Sequence, residues 1–193
     1  MPRLILLNGP PGSGKSTLAQ RYVDDRPLAL NLDIDRLRGL LGQWRADAHS
    51  AGLLARAMAL AAARVHLAAG HDVVVPQFLG RPEYIDQLEQ LALEMHAEFH
   101  EVVLMDDKEV ALRRFTDRTR AAMDPTHVEA QETLDRAGGL EELDAMYDRL
   151  VAMLTTRPRA KIVAVEDGHE DRAYRDFIRA ILTPAPTSPR RTE

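Results

Sequence analysis

Short continuous apolar runs alternate along this chain with longer stretches whose apolar positions recur at helical spacing. The first run, Arg3-Leu-Ile-Leu-Leu-Asn8, shows no polar alternation, which marks a strand covered on both faces in a parallel sheet. Further strands are predicted over residues 28–32, 72–75, 99–105 and 161–165. Helices are predicted from Lys15 to just before Asp24, from about Arg36, and over residues 50–69, 83–95, 108–121, 141–155 and 171–182. Pro27, Gly70, Pro76 and Pro82 punctuate the pattern. Such alternation folds as α/β, a parallel sheet between two helical layers. Ligands of such sheets bind beyond the carboxyl ends of the strands. Residues 9–17, 33–38, 77–81 and 106–107 all begin there. The tail, residues 183–193, holds three prolines and no apolar period, so it reads as disordered. That leaves one domain over residues 1–182.

Composition narrows the class. At 193 residues, 45% hydrophobic and 28% charged, the chain suits one domain with a sizeable core. A net charge of −5 argues against nucleic acid as an obligatory partner. The absence of cysteine excludes disulfides, thiolate metal sites and cysteine nucleophiles. Its histidines show no zinc-enzyme spacing, so no metal beyond Mg²⁺ is expected. The apolar stretch 52–70 is interrupted by Arg56, Arg64 and His66, and no membrane span is expected. The opening apolar run is too short for a signal peptide, which makes the cytoplasm the expected location.

The strongest chemical signal is Gly9-Pro-Pro-Gly12-Ser13-Gly14-Lys15-Ser16, a complete G-x-x-x-x-G-K-[ST] between a predicted strand and a predicted helix. Glycines let the backbone curl so that N–H groups from about Gly12 to Thr17 point at phosphate oxygens. The positive end of the following helix adds to that field. Lys15 would reach the β- and γ-phosphates of ATP, and the Ser16 hydroxyl would ligate Mg²⁺. Of the 25 basic residues only Lys15, Lys108 and Lys161 are lysine, and one falls where this loop requires it.

Asp33-Ile34-Asp35-Arg36-Leu37-Arg38 follows the second predicted strand on the same rim. Phosphoryl transfer to a hydroxyl needs a carboxylate that accepts its proton. Asp35 is the first candidate, and Asp33 is the second, or an outer-shell support for the metal. Arg38 shares a helical face with Asp35 and suits an anionic or polar acceptor. Either aspartate also suits a helix cap.

These two motifs together resemble the P-loop kinase and phosphotransferase families: gluconate kinase, chloramphenicol phosphotransferase, zeta toxin kinases and the kinase domain of polynucleotide kinase. The resemblance runs over residues 3–182 in element order, and its specific part is the phosphate loop. It implies a three-layer P-loop fold like that of nucleoside monophosphate kinases, with strand order 2-3-1-4-5. It also implies that Asp35 is the general base and that Arg38 matches the arginine of the polynucleotide kinase pattern. Two departures stand out: no aspartate ends the third strand, and Arg38 stands where gluconate kinase has a histidine.

Kinases of this shape close an arginine-bearing lid over ATP. Residues 118–130 are the expected lid, with Arg118 and Arg120 as phosphate contacts, and Arg118 also matches an arginine that stacks on adenine. The alternative is a solvated face with Arg113 paired to Asp117. Gln77, Phe78 and Arg81 should face the acceptor, although Phe78 equally suits packing. Asp167-Gly168-His169 is expected at the adenine edge. The leading expectation is a monomeric or homodimeric kinase that uses ATP and Mg²⁺ on a small-molecule acceptor. A polynucleotide 5′-hydroxyl kinase and a nucleotide-driven switch or assembly ATPase are the alternatives.

Overall fold

The computed structural model describes residues 1–110, 113, 139–166 and 168–183. In chain order the elements are β1 (Arg3–Asn8), α1 (Lys15–Asp24), β2 (Leu30–Asn31), α2 (Ile34–Gly39), α3 (Ala48–Ala68) and β3 (Val73–Pro76). They continue with α4 (Pro82–Glu94), β4 (Glu98–Met105), α5 (Leu140–Leu154), β5 (Lys161–Ala164) and α6 (Glu170–Leu182). The five strands form one sheet in the order β2-β3-β1-β4-β5, and every pair is parallel. Fold class and strand order match the expectation.

Why β1 carries no polar alternation is visible in its neighbours. Leu4 and Leu6 face one core layer with Ala55, Ala59 and Ala63 of α3, Ile85 and Leu88 of α4, and Leu150 of α5. Ile5 and Leu7 face the other, with Leu18 and Tyr22 of α1 and Phe177 and Ile181 of α6. Both faces are dry, so both parities must be apolar. Each fully buried leucine or isoleucine contributes about 1.5–3 kcal/mol relative to exposure. β1 is thereby a rigid base for the loop that leaves its carboxyl end.

α3 is long and apolar enough, by length and composition, to cross a membrane. Its positions Ala55, Ala59, Ala63 and Leu67 are buried in the core layer on the sheet. Alanine at that period lets the helix axis approach closely.

β2 is shorter than the run 28–32 predicts. Leu28 has a positive φ of 60° and its side chain is exposed, while the Ala29 N–H bonds the Arg26 carbonyl in a turn. The turn therefore consumes the first two residues of the apolar run. Pairing still extends past the strand, because the Leu32 N–H bonds the Val74 carbonyl at 2.8 Å. That contact delivers Asp33 to the carboxyl edge of the sheet.

Candidate active site

The phosphate loop leaves β1 through three glycines with positive φ: Gly9 (146°), Gly12 (84°) and Gly14 (87°). Such angles are cheap only for glycine. Gly9 is constrained twice, since a Cβ there would lie 2.6 Å from the Leu104 carbonyl oxygen and 2.7 Å from Ser13 Oγ. Gly14 is the N-cap of α1, and no side chain caps that helix. The first regular bond runs from the Leu18 N–H to the Gly14 carbonyl, so the helix presents its opening amides to the loop. Lys15 Nζ donates to the carbonyls of Gly9 and Pro10, both at 2.8 Å, which folds the side chain over the loop. Ser16 and Thr17 are exposed, and Ser13 is buried with an Oγ that has no hydrogen-bond partner among the described residues. Curled backbone, uncapped helix start and overlying lysine form a cradle for an anion.

Beyond β2, Asp33 is the N-cap of α2, its Oδ1 accepting from the N–H groups of Asp35 (2.9 Å) and Arg36 (3.2 Å). Burial raises its pKa above the ordinary carboxylate value, and the neighbouring Asp35 charge adds to the rise against those two N–H groups. Asp35 is more than half exposed and pairs with Arg38 at 3.1 Å. Arg38 lies over the Trp44 ring at 4.6 Å from its centroid, with Arg45 at 4.6 Å from the same ring. The Arg38 Nε is buried without a hydrogen-bond partner among the described residues. Asp33 thus takes the capping role, and Trp44 holds the guanidinium that faces Asp35.

The loop after β3 carries Gln77, Phe78, Leu79, Gly80 and Arg81. The Gln77 N–H bonds the Leu7 carbonyl at 3.2 Å, which ties the loop's start to β1, and Gln77 Oε1 is buried with no partner among the described residues. Phe78 is partly buried and packs against the core layer of α3, α4 and α5. Arg81 is exposed and precedes Pro82 at the start of α4. A Cβ on Gly80 would lie 3.2 Å from Phe78 Cζ and 3.4 Å from Arg149 Cβ, so α5 closes down on this loop.

Sequence reasoning missed Asn8, taken only as the last residue of a strand. It is fully buried. Its Nδ2 donates to the Leu79 carbonyl at 2.9 Å, and its Oδ1 accepts from the N–H groups of Leu79 (2.9 Å) and Gly9 (2.8 Å). An asparagine closing an otherwise all-apolar strand was the available signal.

On the other side of the loop, Tyr147 donates to the Asp106 carbonyl at 2.7 Å, and Lys108 pairs with Asp144 (2.7 Å) and Asp148 (2.8 Å). These contacts anchor the residues after β4 to α5. Arg118, Arg120, Asp117, the expected lid at 118–130 and Asp167 lie outside the described residues, as does the tail beyond residue 183. Gly168 has a φ of 73°, and His169 stands at the N-cap position of α6.

A five-stranded parallel sheet in this order, with a glycine-turned lysine loop between its central strand and α1, defines a P-loop α/β fold. The chain belongs to the family described as AAA domain, whose model matches residues 4–143. No curated protein matches the sequence. Among solved structures, a gluconokinase from Sinorhizobium meliloti 1021 is similar over 94% of this chain and 96% of its own, at 18% identity and a TM-score of 0.55. The tunicamycin resistance protein of Deinococcus radiodurans is similar over 97% of this chain and 100% of its own, at 16% identity and a TM-score of 0.56. At such identities the likeness is one of fold.

Proposed function

We propose that this chain is an ATP- and Mg²⁺-dependent phosphotransferase that moves the γ-phosphate of ATP to a hydroxyl of a small-molecule acceptor. The observation that carries the reading is the cradle of Gly9 to Thr17, with Lys15 folded over it. Phosphate oxygens compete for Lys15 Nζ with the two loop carbonyls, and a charge-assisted bond to phosphate is the stronger partner. Among the described residues no group of three or more histidines or carboxylates could hold a metal ion. The residues fit Mg²⁺ held by Ser16, phosphate oxygens and water, with Asp33 supporting it from the outer shell. When bound, the ion neutralises charge on the β- and γ-phosphates.

Asp35 is the base in this reading. Asp33 is committed to two backbone N–H groups, whereas the Asp35 carboxylate stands open to solvent beside Arg38. It takes the acceptor hydroxyl's proton as that oxygen bonds to the γ-phosphorus, and the bond to the β-phosphate oxygen breaks with its electron pair leaving on ADP. Arg38, Gln77 and Arg81 orient the acceptor, while Arg118 and Arg120 meet the transferring phosphate. The acceptor combines polar or anionic groups with a hydroxyl. We place the reaction in the cytoplasm, on neither nucleic acid nor membrane, with the chain as a monomer or homodimer. The test is ATP turnover with and without pooled metabolites and, separately, 5′-hydroxyl oligonucleotides. Dependence on a small acceptor supports the reading. Oligonucleotide labelling or acceptor-independent hydrolysis replaces it with a polynucleotide kinase or a switch ATPase.

A further inference from the structure

Asn8 stands between the two loops that a transfer reaction must bring into register. β1 and β3 pair in parallel up to Leu7 and Pro76, and the Gln77 N–H still reaches the Leu7 carbonyl. Beyond that point the main chains diverge, and the Asn8 side chain continues the ladder. Its amide meets both the N–H and the carbonyl of Leu79, as a neighbouring peptide group would. The same Oδ1 accepts the Gly9 N–H at 2.8 Å. A Cβ at Gly9 would lie 2.6 Å from the Leu104 carbonyl oxygen, so the Gly9 backbone runs close along β4. Its own carbonyl receives Lys15 Nζ at 2.8 Å.

Hydrogen bonds thus run from Lys15 to the Gly9 carbonyl and, on the other side of the Gly9 α-carbon, from the Gly9 N–H to Asn8 and on to Leu79 in the 77–81 loop. We propose that Asn8 is a positioning residue that transmits occupancy of the phosphate loop to the acceptor-side loop, fixing Gln77 and Arg81 relative to the γ-phosphate. This rests on the phosphotransferase reading of the site. When phosphate oxygens draw Lys15 off the Gly9 and Pro10 carbonyls, Gly9 passes the change through its N–H to the Asn8 amide, whose Oδ1 and Nδ2 together hold Leu79. Besides Asn8, the loop is held by the Gln77 N–H on the Leu7 carbonyl, by buried Leu79 and by Phe78 packed against the core.

Backbone hydrogen exchange on the full chain tests this, with Mg²⁺ and the non-hydrolysable ATP analogue AMPPNP as the probe. In the wild type, nucleotide should change the exchange rate of the 77–81 amides by about fivefold or more. Asn8→Asp keeps the size and the acceptor oxygens but removes the donor to the Leu79 carbonyl and sets a charge against it. In that variant AMPPNP affinity should stay within about threefold, while exchange in 77–81 becomes fast and indifferent to nucleotide. Asn8→Ala should do the same where it folds, and Asn8→Asp decides if it does not. A nucleotide-bound wild type with an unresponsive loop, or an Asn8→Asp loop that still responds as the wild type does, overturns the inference alone. A wild type that fails to bind AMPPNP overturns the phosphotransferase reading and the inference with it.

Discussion

Asp33 and Asp35 share a type, a rim and a spacing, yet their surroundings separate them. Asp33 is held by two amides and buried enough for its pKa to rise, while Asp35 is exposed and faces Arg38. Asp35→Asn keeps the shape and removes the proton acceptor, so ATP affinity should hold while transfer falls by about 10² or more. Asp33→Asn retains most capping, whereas Asp33→Ala should cost about 1 kcal/mol of stability through the lost cap. A metabolite-dependent assay with a parallel thermal melt checks both. Wild-type transfer by Asp35→Asn together with a loss in Asp33→Asn would exchange the two roles. The candidate base was legible as a pair, because a strand followed by D-x-D is visible in the chain. Which member caps α2 was not, since either aspartate suits that helix start and only backbone geometry selects.

At the scale of elements, the phosphate loop reads directly from sequence because its glycines are required by backbone angle. Gly14→Ala isolates that requirement: its φ is 87°, and a Cβ would meet nothing within 4 Å. The expected cost is strain alone, about 1–2 kcal/mol. Gly9→Ala adds a collision with the Leu104 carbonyl, so it should destabilise more than Gly14→Ala in a denaturant titration. Equal effects would show that the loop shifts freely against β4, contrary to the packing described. The strands were readable for a related reason, as a run with both parities apolar has few folds open to it. The shortened β2 was not readable, because Leu28 is apolar but spends its backbone on a turn. Asn8 escaped notice because its work is done by side-chain bonds across a gap of 71 positions, which no local pattern encodes.

For the molecule as a whole, the end of the sheet opposite the phosphate loop carries the clearest pH dependence. His100 of β4 is half-buried among Glu98, Arg3 and Lys161, and burial lowers its pKa from the ordinary 6.5, against the pull of Glu98. The unfolded chain therefore binds the proton first as pH falls. The stability this group contributes is present above its unfolded value and is lost as pH drops through the folded one. Melting of the wild type should weaken from about pH 7.5 to about pH 5.5 more than that of His100→Gln. Identical pH profiles would place the titration elsewhere.

Phosphoryl transfer through the phosphate loop is probed most directly at Lys15. Its ammonium lies over the loop rather than in the core, so Lys15→Ala should fold as the wild type does. Acceptor-dependent release of ADP from ATP, measured for both proteins with the same pooled metabolites, decides the matter. Turnover is expected of the wild type, with a loss of about 10² or more in a folded Lys15→Ala protein. Undiminished turnover by that folded variant would contradict it.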